Sequence, residues 1–416
     1  MTHLLIDGGR KLSGEINIHG AKNSVLPILA ACYLNSAKTV LHNCPKLSDV
    51  STAIEILKTL GCRVEQIGND IMVDSSSANN YCIPYKLMEK MRSSIIFMGA
   101  ILAKCNKAKL CMPGGCELGP RPIDLHLISL KKLGVDITDL SGIIEAKTNG
   151  ICGSVINLPF PSVGATENII LASVLAKGET VIHNAAREPE IVDLACFLNS
   201  CGAQIAGMGS SSIKICGVKK LNGCEHSIIP DRIEAGTYMA AAAITGSTLT
   251  LNNICVEHIR PVLYAFNEAG CDFEFSNNSL KIISPKRLNR VKSVRTLVYP
   301  GFPTDMLSVF MAAMSVADGT SMFVETIFQN RYKQVSDLVK MGASIKVEER
   351  VAVVEGVNRL NCAIVSATDL RGGAALIVAA LNANGVTKIY DVKHIDRGYE
   401  DIEYTLNSLG ARVVRV

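Results

Sequence analysis

The sequence predicts an α/β fold, and three observations lead to this prediction. An amphipathic stretch that ends at Gly and continues into a short alternating strand recurs six times in the 416 residues, at intervals of about 70 residues. Before each recurrence lie a stretch rich in Ala, Ile and Leu and a short strand. Hydrophobic residues make up 48% of the chain and Trp is absent, so small aliphatic side chains fill a large core. The six marker glycines are Gly61, Gly134, Gly202, Gly270, Gly342 and Gly410.

Each repeat contains the same elements in the same order. The first helix is apolar on nearly every side and is expected to be buried; we predict it at residues 23–34, 92–103, 166–176, 233–244, 305–316 and 372–381. A short strand follows, at residues 39–42, 109–112, 180–183, 248–251, 321–324 and 387–390. A second, amphipathic helix, such as 50–60 or 190–199, ends at the marker glycine, because this position favours φ > 0. A hairpin such as 344–347 with 351–354 completes the repeat, which reads βαβαββ once the strand before the first helix is counted.

Six repeats group most simply into two pseudo-threefold domains of three, with the apolar helices inside and the sheets outside. Residues 1–20 supply a strand that is not part of any of the six repeats. This strand is expected to complete the second domain. The predicted domains are therefore 22–229, and 1–21 together with 230–416. A cleft between two such domains is the default place for a substrate and is expected to hold the active site.

Composition excludes several classes of protein. The 42 Lys and Arg residues against 38 Asp and Glu give a net charge of +4, which is not the clustered basic face of a nucleic-acid-binding protein. The longest apolar runs, 95–103 and 374–381, are shorter than the roughly 18 residues of a membrane span, and residues 1–15 lack the apolar segment of a signal peptide. The 15 cysteines contain no C-x-x-C pair, and the histidines form no metal-binding pattern. We therefore expect a reduced, cytoplasmic protein that needs no metal or other cofactor and binds neither nucleic acid nor membrane.

The second repeat has the longest connection between its short strand and its marker glycine. The additional residues lie in 113–122, which read Pro-Gly-Gly-Cys-Glu-Leu-Gly-Pro-Arg-Pro. Cys116 lies on this loop with Arg121 shortly after it, and a nearby cation favours the nucleophilic thiolate. The alternative is that Cys116 is one more thiol among 15.

All six first helices begin with polar or charged residues. Lys22 and Asn23 open the first, Arg92 opens the second, and residues 162–164 precede the third. Helix N-termini favour anions through their free N–H groups and their dipole, so converging N-termini would suit phosphate and carboxylate ligands. For Lys22 and Asn23 the alternative is a helix cap beside a solvated Lys.

Three further candidates lie in the later repeats. Asp305 lies at the start of the first helix of repeat five. Arg331 and Arg397 lie in the loops after the short strands of repeats five and six. Arg suits bidentate binding of carboxylate or phosphate, and an acid in an Arg-rich cleft can deprotonate a hydroxyl. The alternatives are an N-cap role for Asp305 and ordinary ion pairs for the arginines, for example with Asp396.

Four segments resemble one known family. They are 20–24 (Gly-Ala-Lys-Asn-Ser), 113–126, 300–305 and 394–400 (His-Ile-Asp-Arg-Gly-Tyr-Glu). Over essentially the whole chain the sequence is similar to the UDP-N-acetylglucosamine 1-carboxyvinyltransferases, the enolpyruvyl transferases that begin peptidoglycan precursor synthesis. The resemblance implies an inside-out α/β barrel of two domains, each with three βαβαββ units. It also implies transfer of the enolpyruvyl group of phosphoenolpyruvate to the 3′-hydroxyl of UDP-N-acetylglucosamine, by addition and then elimination of phosphate.

The resemblance also assigns roles to residues of this chain. Cys116 matches the proton donor to the methylene carbon, which fosfomycin alkylates, and Asp305 matches the base for the 3′-hydroxyl. The implied catalytic set is Cys116, Asp305, Lys22 and Arg397. The implied phosphoenolpyruvate contacts are Lys22, Arg92, Arg121, Arg331, Arg371 and Arg397. The implied nucleotide-sugar contacts are Asn23, Arg92, Arg121, Pro122, Ile123, Asp124, Leu125, Ser162, Val163, Gly164, Asp305 and Ile327.

One departure and two alternatives accompany this resemblance. Many relatives carry Lys where this chain has Phe160. A cationic contact to the nucleotide sugar is therefore expected to be missing, and the KM for the nucleotide sugar is expected to be higher.

The enolpyruvyl transferase of the shikimate pathway shares the fold, but the Pro-Gly-Gly-Cys loop and the Ala-Lys-Asn-Ser segment favour the peptidoglycan enzyme. The other alternative is an inactive relative that binds a nucleotide sugar or a regulatory partner. Against it stands the joint presence of Cys116, Asp305, Lys22 and Arg397.

Overall fold

The computed structural model describes residues 2–114 and 123–416. In these residues helices alternate with short strands, so the predicted α/β class is confirmed. The chain divides into two compact units. We call residues 2–19 with 230–416 the split unit, and residues 20–114 with 123–229 the central unit.

The secondary structure consists of short strands and mostly longer helices. The strands are β1 (Leu4–Asp7), β2 (Glu15–Asn17), β3 (Lys38–His42), β4 (Arg63–Ile67), β5 (Asp70–Asp74), β6 (Lys107–Cys111), β7 (Asp136–Leu140), β8 (Ile143–Lys147), β9 (Val155–Asn157), β10 (Glu179–His183), β11 (Gln204–Ala206), β12 (Ser212–Cys216), β13 (Glu225–Ser227), β14 (Thr248–Asn252), β15 (Asp272–Ser276), β16 (Ser279–Ile283), β17 (Ser293–Arg295), β18 (Thr320–Val324), β19 (Ser344–Glu348), β20 (Val351–Glu355), β21 (Ile364–Ser366), β22 (Val386–Tyr390) and β23 (Val413–Arg415). The α-helices are α1 (Lys22–Cys32), α2 (Ser48–Thr59), α3 (Tyr85–Lys90), α4 (Phe97–Cys105), α5 (Asp124–Lys132), α6 (Val163–Ser173), α7 (Pro189–Ser200), α8 (Arg232–Thr245), α9 (Val256–Glu268), α10 (Thr304–Met314), α11 (Val335–Lys340), α12 (Leu370–Asn382) and α13 (Ile402–Ser408). Turns of 3₁₀ helix at Arg92–Ile96 and Val392–His394 precede α4 and α13. Within the described ranges, none of these helices combines the length and the apolar character that a membrane crossing needs.

The strands form small mixed sheets on a common plan. In one sheet the central strand β10 pairs in parallel with β9 and antiparallel with β12, which in turn pairs with β11. The same order of parallel edge, centre and hairpin is found in the sheets β13-β3-β5-β4, β2-β14-β16-β15 and β17-β18-β20-β19. In the sheet β21-β22-β1-β23, the antiparallel strands β1 and β23, from the two ends of the chain, take the place of the hairpin. In the sheet β6-β8-β7, a single parallel bridge between Cys82 and Lys109 stands where the others have the edge strand.

The N-terminal strands belong to sheets of the split unit. β2 is the parallel edge strand beside β14, and β1 lies between β22 and β23. Conversely, β13 returns to the first sheet of the central unit by pairing with β3. Each unit therefore completes a sheet with a strand that is distant in sequence.

The element order predicted for the repeat is complete in the third, fourth and fifth repeats. Strand, helix, strand, helix, strand and strand follow one another from β9 to β12, and again from β13 to β16 and from β17 to β20. Among the described residues, no strand directly precedes the first helix of the second repeat, and only β23 follows α13 in the sixth. All six marker glycines have φ between +86° and +100°. This left-handed region is the one expected for a residue that ends a helix.

Four of the first helices start within two residues of the predicted position, and the other two start three and five residues from it, where side chains bond to the backbone. The helix predicted from residue 92 begins as a 3₁₀ turn, where Ser94 Oγ donates to the Met91 carbonyl at 2.6 Å, and α4 starts only at Phe97. The helix predicted from residue 166 begins already at Val163. It is capped by Ser162, whose Oγ accepts a hydrogen bond from the Ala165 N–H at 3.3 Å.

The first helix of each repeat is buried, as predicted. In the split unit α8, α10 and α12 pack against one another, and in the central unit α4 packs against α6. The strands alternate buried and exposed side chains, as in β3 and β12. Each unit has a hydrophobic core of its own, and the polar starts of its first helices are the places where charged groups meet.

Candidate active site

The start of α10 carries a carboxylate that is held by two buried arginines. Arg331 Nη2 donates to Asp305 Oδ1 at 2.6 Å, and Arg371 Nη2 donates to Asp305 Oδ2 at 3.3 Å. Only 1% and 5% of the two arginine side chains is exposed, against 28% of the Asp305 side chain. Of the predicted site residues, the structure therefore brings Asp305, Arg331 and Arg371 together.

Arg371 is placed by the N-terminus of α12. Asp369 caps this helix, because its Oδ1 accepts hydrogen bonds from the N–H groups of Arg371 and Gly372, both at 3.0 Å. The Arg371 guanidinium donates from Nη1 to the Tyr399 hydroxyl at 3.2 Å. That hydroxyl lies 2.8 Å from Thr237 Oγ1. Arg371 thus connects the first turns of α10 and α12 with α8.

Arg331 is held by a second hydrogen-bond network. Its Nε donates to Thr304 Oγ1 at 3.1 Å, and Thr304 donates to Glu325 Oε2 at 2.7 Å. Glu325 follows β18 and is buried, and its Oε1 accepts the N–H groups of Ile327 at 2.6 Å and Phe328 at 3.0 Å. The predicted Ile327 therefore lies on a loop that Glu325 fixes beside Arg331.

Burial and charge set the protonation of this group of residues. Burial lowers the pKa of Arg371, but the negative charge of Asp305 in particular outweighs it, and the pKa is raised above its usual value. Burial also raises the pKa of Tyr399, so its phenol stays neutral. Arg331 and Arg371 each place a positive charge beside one oxygen of Asp305. The arrangement offers a carboxylate that can accept a proton, next to cations that can bind an anion.

Arg397 is the remaining predicted arginine of the split unit. It is half-buried and lies two residues before Tyr399 in the chain. The neighbouring Asp396 accepts two hydrogen bonds from Arg415, from Nη2 at 2.8 Å and from Nη1 at 3.0 Å. Asp396 is thus paired with an arginine of the C-terminal strand β23.

In the central unit Lys22 opens α1, as predicted. Its Nζ lies 2.7 Å from Asp49 Oδ2, and only 9% and 3% of the two side chains is exposed. Asp49 lies in the first turn of α2, so the pair joins the N-terminal turns of two helices. The alternative of a solvated Lys22 is therefore wrong. Asn23 follows on α1 and is half-buried.

A second group of predicted residues meets around His126 of α5. Asn168 Nδ2 on α6 lies 2.9 Å from His126 Nδ1, and a Cβ at Gly164 would lie 3.1 Å from His126 Cε1. Arg92 is close enough for its charge to act on the imidazole. Of the predicted residues, Arg92, Ile123, Asp124 and Gly164 thus lie near His126. Leu125, Ser162 and Val163 are their neighbours in the chain.

His126 is a neutral imidazole with a defined tautomer. Burial, and after it the charge of Arg92, lowers its pKa to about 4. The Asn168 amide is oriented by two further bonds, since its Oδ1 accepts the Gly99 N–H at 2.6 Å and its Nδ2 donates to the Ile95 carbonyl at 3.0 Å. The amide therefore donates to His126 Nδ1, and the ring proton is on Nε2. A Cβ at position 164 would lie closer to this ring than most Cβ contacts, so the ring would have to shift slightly, which favours glycine there.

Three predicted site residues, Cys116, Arg121 and Pro122, lie outside the described residues. Phe160, at the position where a cationic contact is expected to be missing, is 43% exposed shortly before α6. Within residues 2–114 and 123–416, no group of three or more His, Cys, Asp and Glu side chains is arranged to hold a metal ion.

Sequence reasoning missed the partners that fix the predicted side chains. Four buried residues are such partners: Asp49 pairs with Lys22, Thr237 and Glu325 bond the group around Asp305, and Asn168 bonds His126. Their polarity within apolar stretches was the available signal, because buried polar groups almost always have a partner.

Comparison with known proteins identifies one family. The family model described as EPSP synthase (3-phosphoshikimate 1-carboxyvinyltransferase) matches residues 6–406. The UDP-N-acetylglucosamine 1-carboxyvinyltransferase 2 of Caldanaerobacter subterraneus subsp. tengcongensis is 53% identical over 416 residues, which cover 100% of both chains. The UDP-N-acetylglucosamine 1-carboxyvinyltransferase of Finegoldia magna is 48% identical over 409 residues, which cover 97% of this chain and 96% of the relative.

Solved structures of the family share the fold. The enolpyruvyl transferase NikO from Streptomyces tendae matches 100% of this chain and 99% of its own, with a TM-score of 0.91 at 22% identity. An EPSP synthase from Acinetobacter baumannii matches 100% of both chains, with a TM-score of 0.79 at 16% identity. These matches show the fold, and the full-length identities and the family model confirm the resemblance that the sequence segments indicated. The chain belongs to the enolpyruvyl transferases, in the family of the UDP-N-acetylglucosamine 1-carboxyvinyltransferases.

Proposed function

We propose that this protein transfers the enolpyruvyl group of phosphoenolpyruvate to the 3′-hydroxyl of UDP-N-acetylglucosamine and releases phosphate, in the first committed step of peptidoglycan synthesis. The observation that carries the proposal is the 53% identity, over the full length of both chains, to an enzyme named for this reaction. Both substrates are small molecules, and the proposed chemistry needs no metal, cofactor, nucleic acid or membrane.

The proposed reaction has two balanced steps. In the addition, the 3′-oxygen bonds to C2 of phosphoenolpyruvate, a proton adds to C3 so that the methylene becomes a methyl group, and the hydroxyl proton passes to a base. In the elimination, the methyl group loses a proton, the bond from C2 to the phosphate oxygen breaks, and phosphate leaves as the double bond forms again. Each step therefore needs a positioned acid and a positioned base.

Asp305 is the base that we propose for the 3′-hydroxyl. Arg331 and Arg371 each bond one of its oxygens, and a carboxylate oxygen has lone pairs to spare for a further hydrogen bond. The same two cations would stabilise negative charge that develops next to the carboxylate. Cys116 is proposed as the proton donor to C3, on the strength of the family resemblance.

The anionic groups of the substrates call for fixed cations. Lys22 lies at the N-terminus of α1, where the helix dipole adds to its charge, and a phosphate carrying two negative charges can displace the Asp49 carboxylate from it. The cations that we propose for phosphoenolpyruvate are Lys22, Arg92, Arg121, Arg331, Arg371 and Arg397, with Lys22 and Arg397 also in the catalytic set. For the nucleotide sugar we propose Asn23, Arg92, Arg121, Pro122, Ile123, Asp124, Leu125, Ser162, Val163, Gly164, Asp305 and Ile327.

We further infer that the sheets of each unit surround its buried first helices, as an inside-out α/β barrel. The mutual packing of α8, α10 and α12 supports this for the split unit. The cytoplasm is the compartment that we propose, because the cysteines of the described residues are free thiols, as in a reducing environment.

Phosphate release from phosphoenolpyruvate tests the function, with UDP-N-acetylglucosamine and with shikimate 3-phosphate as alternative acceptors. We expect turnover with the nucleotide sugar only. Turnover with shikimate 3-phosphate alone would make the protein an enzyme of the shikimate pathway, and no turnover with either acceptor would overturn the enzymatic proposal. Fosfomycin labelling, followed by mass spectrometry, checks the thiol, since the added mass should be lost in Cys116→Ser.

A further inference from the structure

A chain of three hydrogen bonds runs from Arg371 into helix α8. Arg371 Nη1 contacts the Tyr399 hydroxyl at 3.2 Å, this hydroxyl contacts Thr237 Oγ1 at 2.8 Å, and Thr237 Oγ1 contacts the Ile233 carbonyl at 2.9 Å. The three residues are almost completely buried, with 4%, 2% and 2% of the whole residues Arg371, Tyr399 and Thr237 exposed. Each polar atom in the chain therefore depends on its neighbour rather than on water.

The direction of every bond in this chain follows from the donors. A guanidinium can only donate, so the Tyr399 oxygen accepts from Arg371. The single hydrogen of the phenol then points to Thr237, and the single hydrogen of Thr237 points to the Ile233 carbonyl. Burial raises the pKa of Tyr399, so the phenol keeps the hydrogen that this order requires. The backbone of α8 thus fixes the phenol, and the phenol fixes the guanidinium.

Arg371 needs this support more than Arg331 does. Arg331 reaches Asp305 at 2.6 Å and is also bonded by Thr304, whereas Arg371 reaches Asp305 at 3.3 Å. The Tyr399 hydroxyl holds Nη1, on the other side of the Arg371 guanidinium. This bond therefore sets how closely Nη2 approaches Asp305. A displaced Arg371 would leave one oxygen of Asp305 without its cation.

We propose that Tyr399 and Thr237 are positioning residues, which hold Arg371 against Asp305 for the transfer reaction. The inference rests on the proposed function for its catalytic consequence. Its structural content, that the two hydroxyls act as one unit, stands independently of the substrate.

Four single variants test the proposal. Tyr399→Phe and Thr237→Val each break the chain of hydrogen bonds, and we expect each to lower kcat between about 10-fold and 100-fold through displacement of Arg371. The KM for UDP-N-acetylglucosamine should stay within about twofold of the wild type, because a small displacement acts on the reaction step. Thr237→Ser keeps the hydroxyl and should restore most of kcat.

Thr245→Val is the matched control. Thr245 lies on the same helix, and its hydroxyl donates to the carbonyl four residues earlier, Ala241, just as Thr237 donates to Ile233. It should lower the melting temperature as Thr237→Val does, yet leave kcat unchanged. An equal loss of kcat in both Val variants would reduce Thr237 to a structural role, and a kcat of Tyr399→Phe equal to the wild type would overturn the proposal.

The double variant Tyr399→Phe/Thr237→Val separates this inference from the proposed function. Because both residues belong to one chain, its free energy of unfolding in urea should be clearly less reduced than the sum of the two single losses. Additive losses would overturn the inference, whatever the activity. If the wild type turns over neither acceptor, the proposed function fails, and the unfolding measurement still decides whether the hydroxyls are coupled.

Discussion

A single carboxylate, that of Asp305, joins both buried arginines of the split unit. Asp305→Asn keeps the shape of the side chain but cannot take up the hydroxyl proton. We expect kcat for phosphate release to fall by about 100-fold to 10,000-fold, which is the usual contribution of a positioned acid or base. Asp272→Asn, at an exposed position of β15, is the control and should keep the activity of the wild type. Turnover by Asp305→Asn within about threefold of the wild type would refute the role.

Two histidines of the described residues respond to pH in opposite directions. His19 Nδ1 lies 2.8 Å from Glu234 Oε1, and this bond, with Glu400 and Asp231 nearby, raises the pKa of His19 from 6.5 to about 9. Folded His19 therefore holds a proton more tightly than unfolded His19. Its contribution to stability is complete below pH 6.5 and is lost as the pH rises through 9.

His126 behaves in the opposite way. Burial, with Arg92 facing it and Asp124 partly compensating, lowers its pKa from 6.5 to about 4. Between these values the unfolded chain binds a proton that the folded chain does not. The contribution of neutral His126 is therefore complete above pH 6.5 and is lost as the pH falls through 4.

Each unit should accordingly carry its own pH dependence. Hydrogen exchange read by mass spectrometry measures the stability of each unit separately between pH 4 and 9. Compared with the wild type, His19→Gln should flatten the alkaline decline of the split unit only, and His126→Gln the acidic decline of the central unit only. Unchanged slopes in either variant would contradict the corresponding assignment.

At the scale of elements, the glycine after α5 isolates the effect of backbone conformation. Gly134 has φ +86°, and no atom lies within 4 Å of the place where a Cβ would be. Gly134→Ala therefore adds strain without a collision, and we expect it to cost about 1 kcal/mol of unfolding free energy. Gly134→Asn should cost less, because Asn adopts left-handed backbone more readily. Urea unfolding measures both, and equal losses would contradict this account.

The elements were predictable because their signals are local, whereas the partners in the site are not. The apolar run of α8 lies within the element it defines, and Gly270 directly follows the helix that it ends. Lys22 and Asp49 instead meet from two different helices, and Thr237 and Tyr399 lie far apart in the chain. Such pairs depend on how helices pack, which no local pattern encodes. The family segments indicated which cations and carboxylate matter, but not what holds them.

At the scale of the whole molecule, the two units differ in how the chain builds them. The described residues of the central unit, 20–114 and 123–229, have a core of their own and include neither end of the chain. The split unit uses both ends of the chain, since β1 pairs with β22 on one side and β23 on the other. Leu4 and Ile6 of β1 are fully buried, so a fragment without residues 1–19 loses both ladders and part of its core.

Fragments therefore give the last prediction. Residues 20–229 alone should unfold cooperatively in urea, whereas residues 230–416 alone should not. The chain ends are adjacent, because His3 and Val416 exchange N–H···O bonds at 2.9 Å in both directions. A short Gly-containing turn can therefore join residue 416 to residue 2, and a permuted chain of 230–416, the turn and 2–19 should regain a cooperative transition. The same chain with Leu4→Asp and Ile6→Asp should not, because both charges would be buried. Cooperative unfolding of 230–416 alone would show that β1 is dispensable to the split unit.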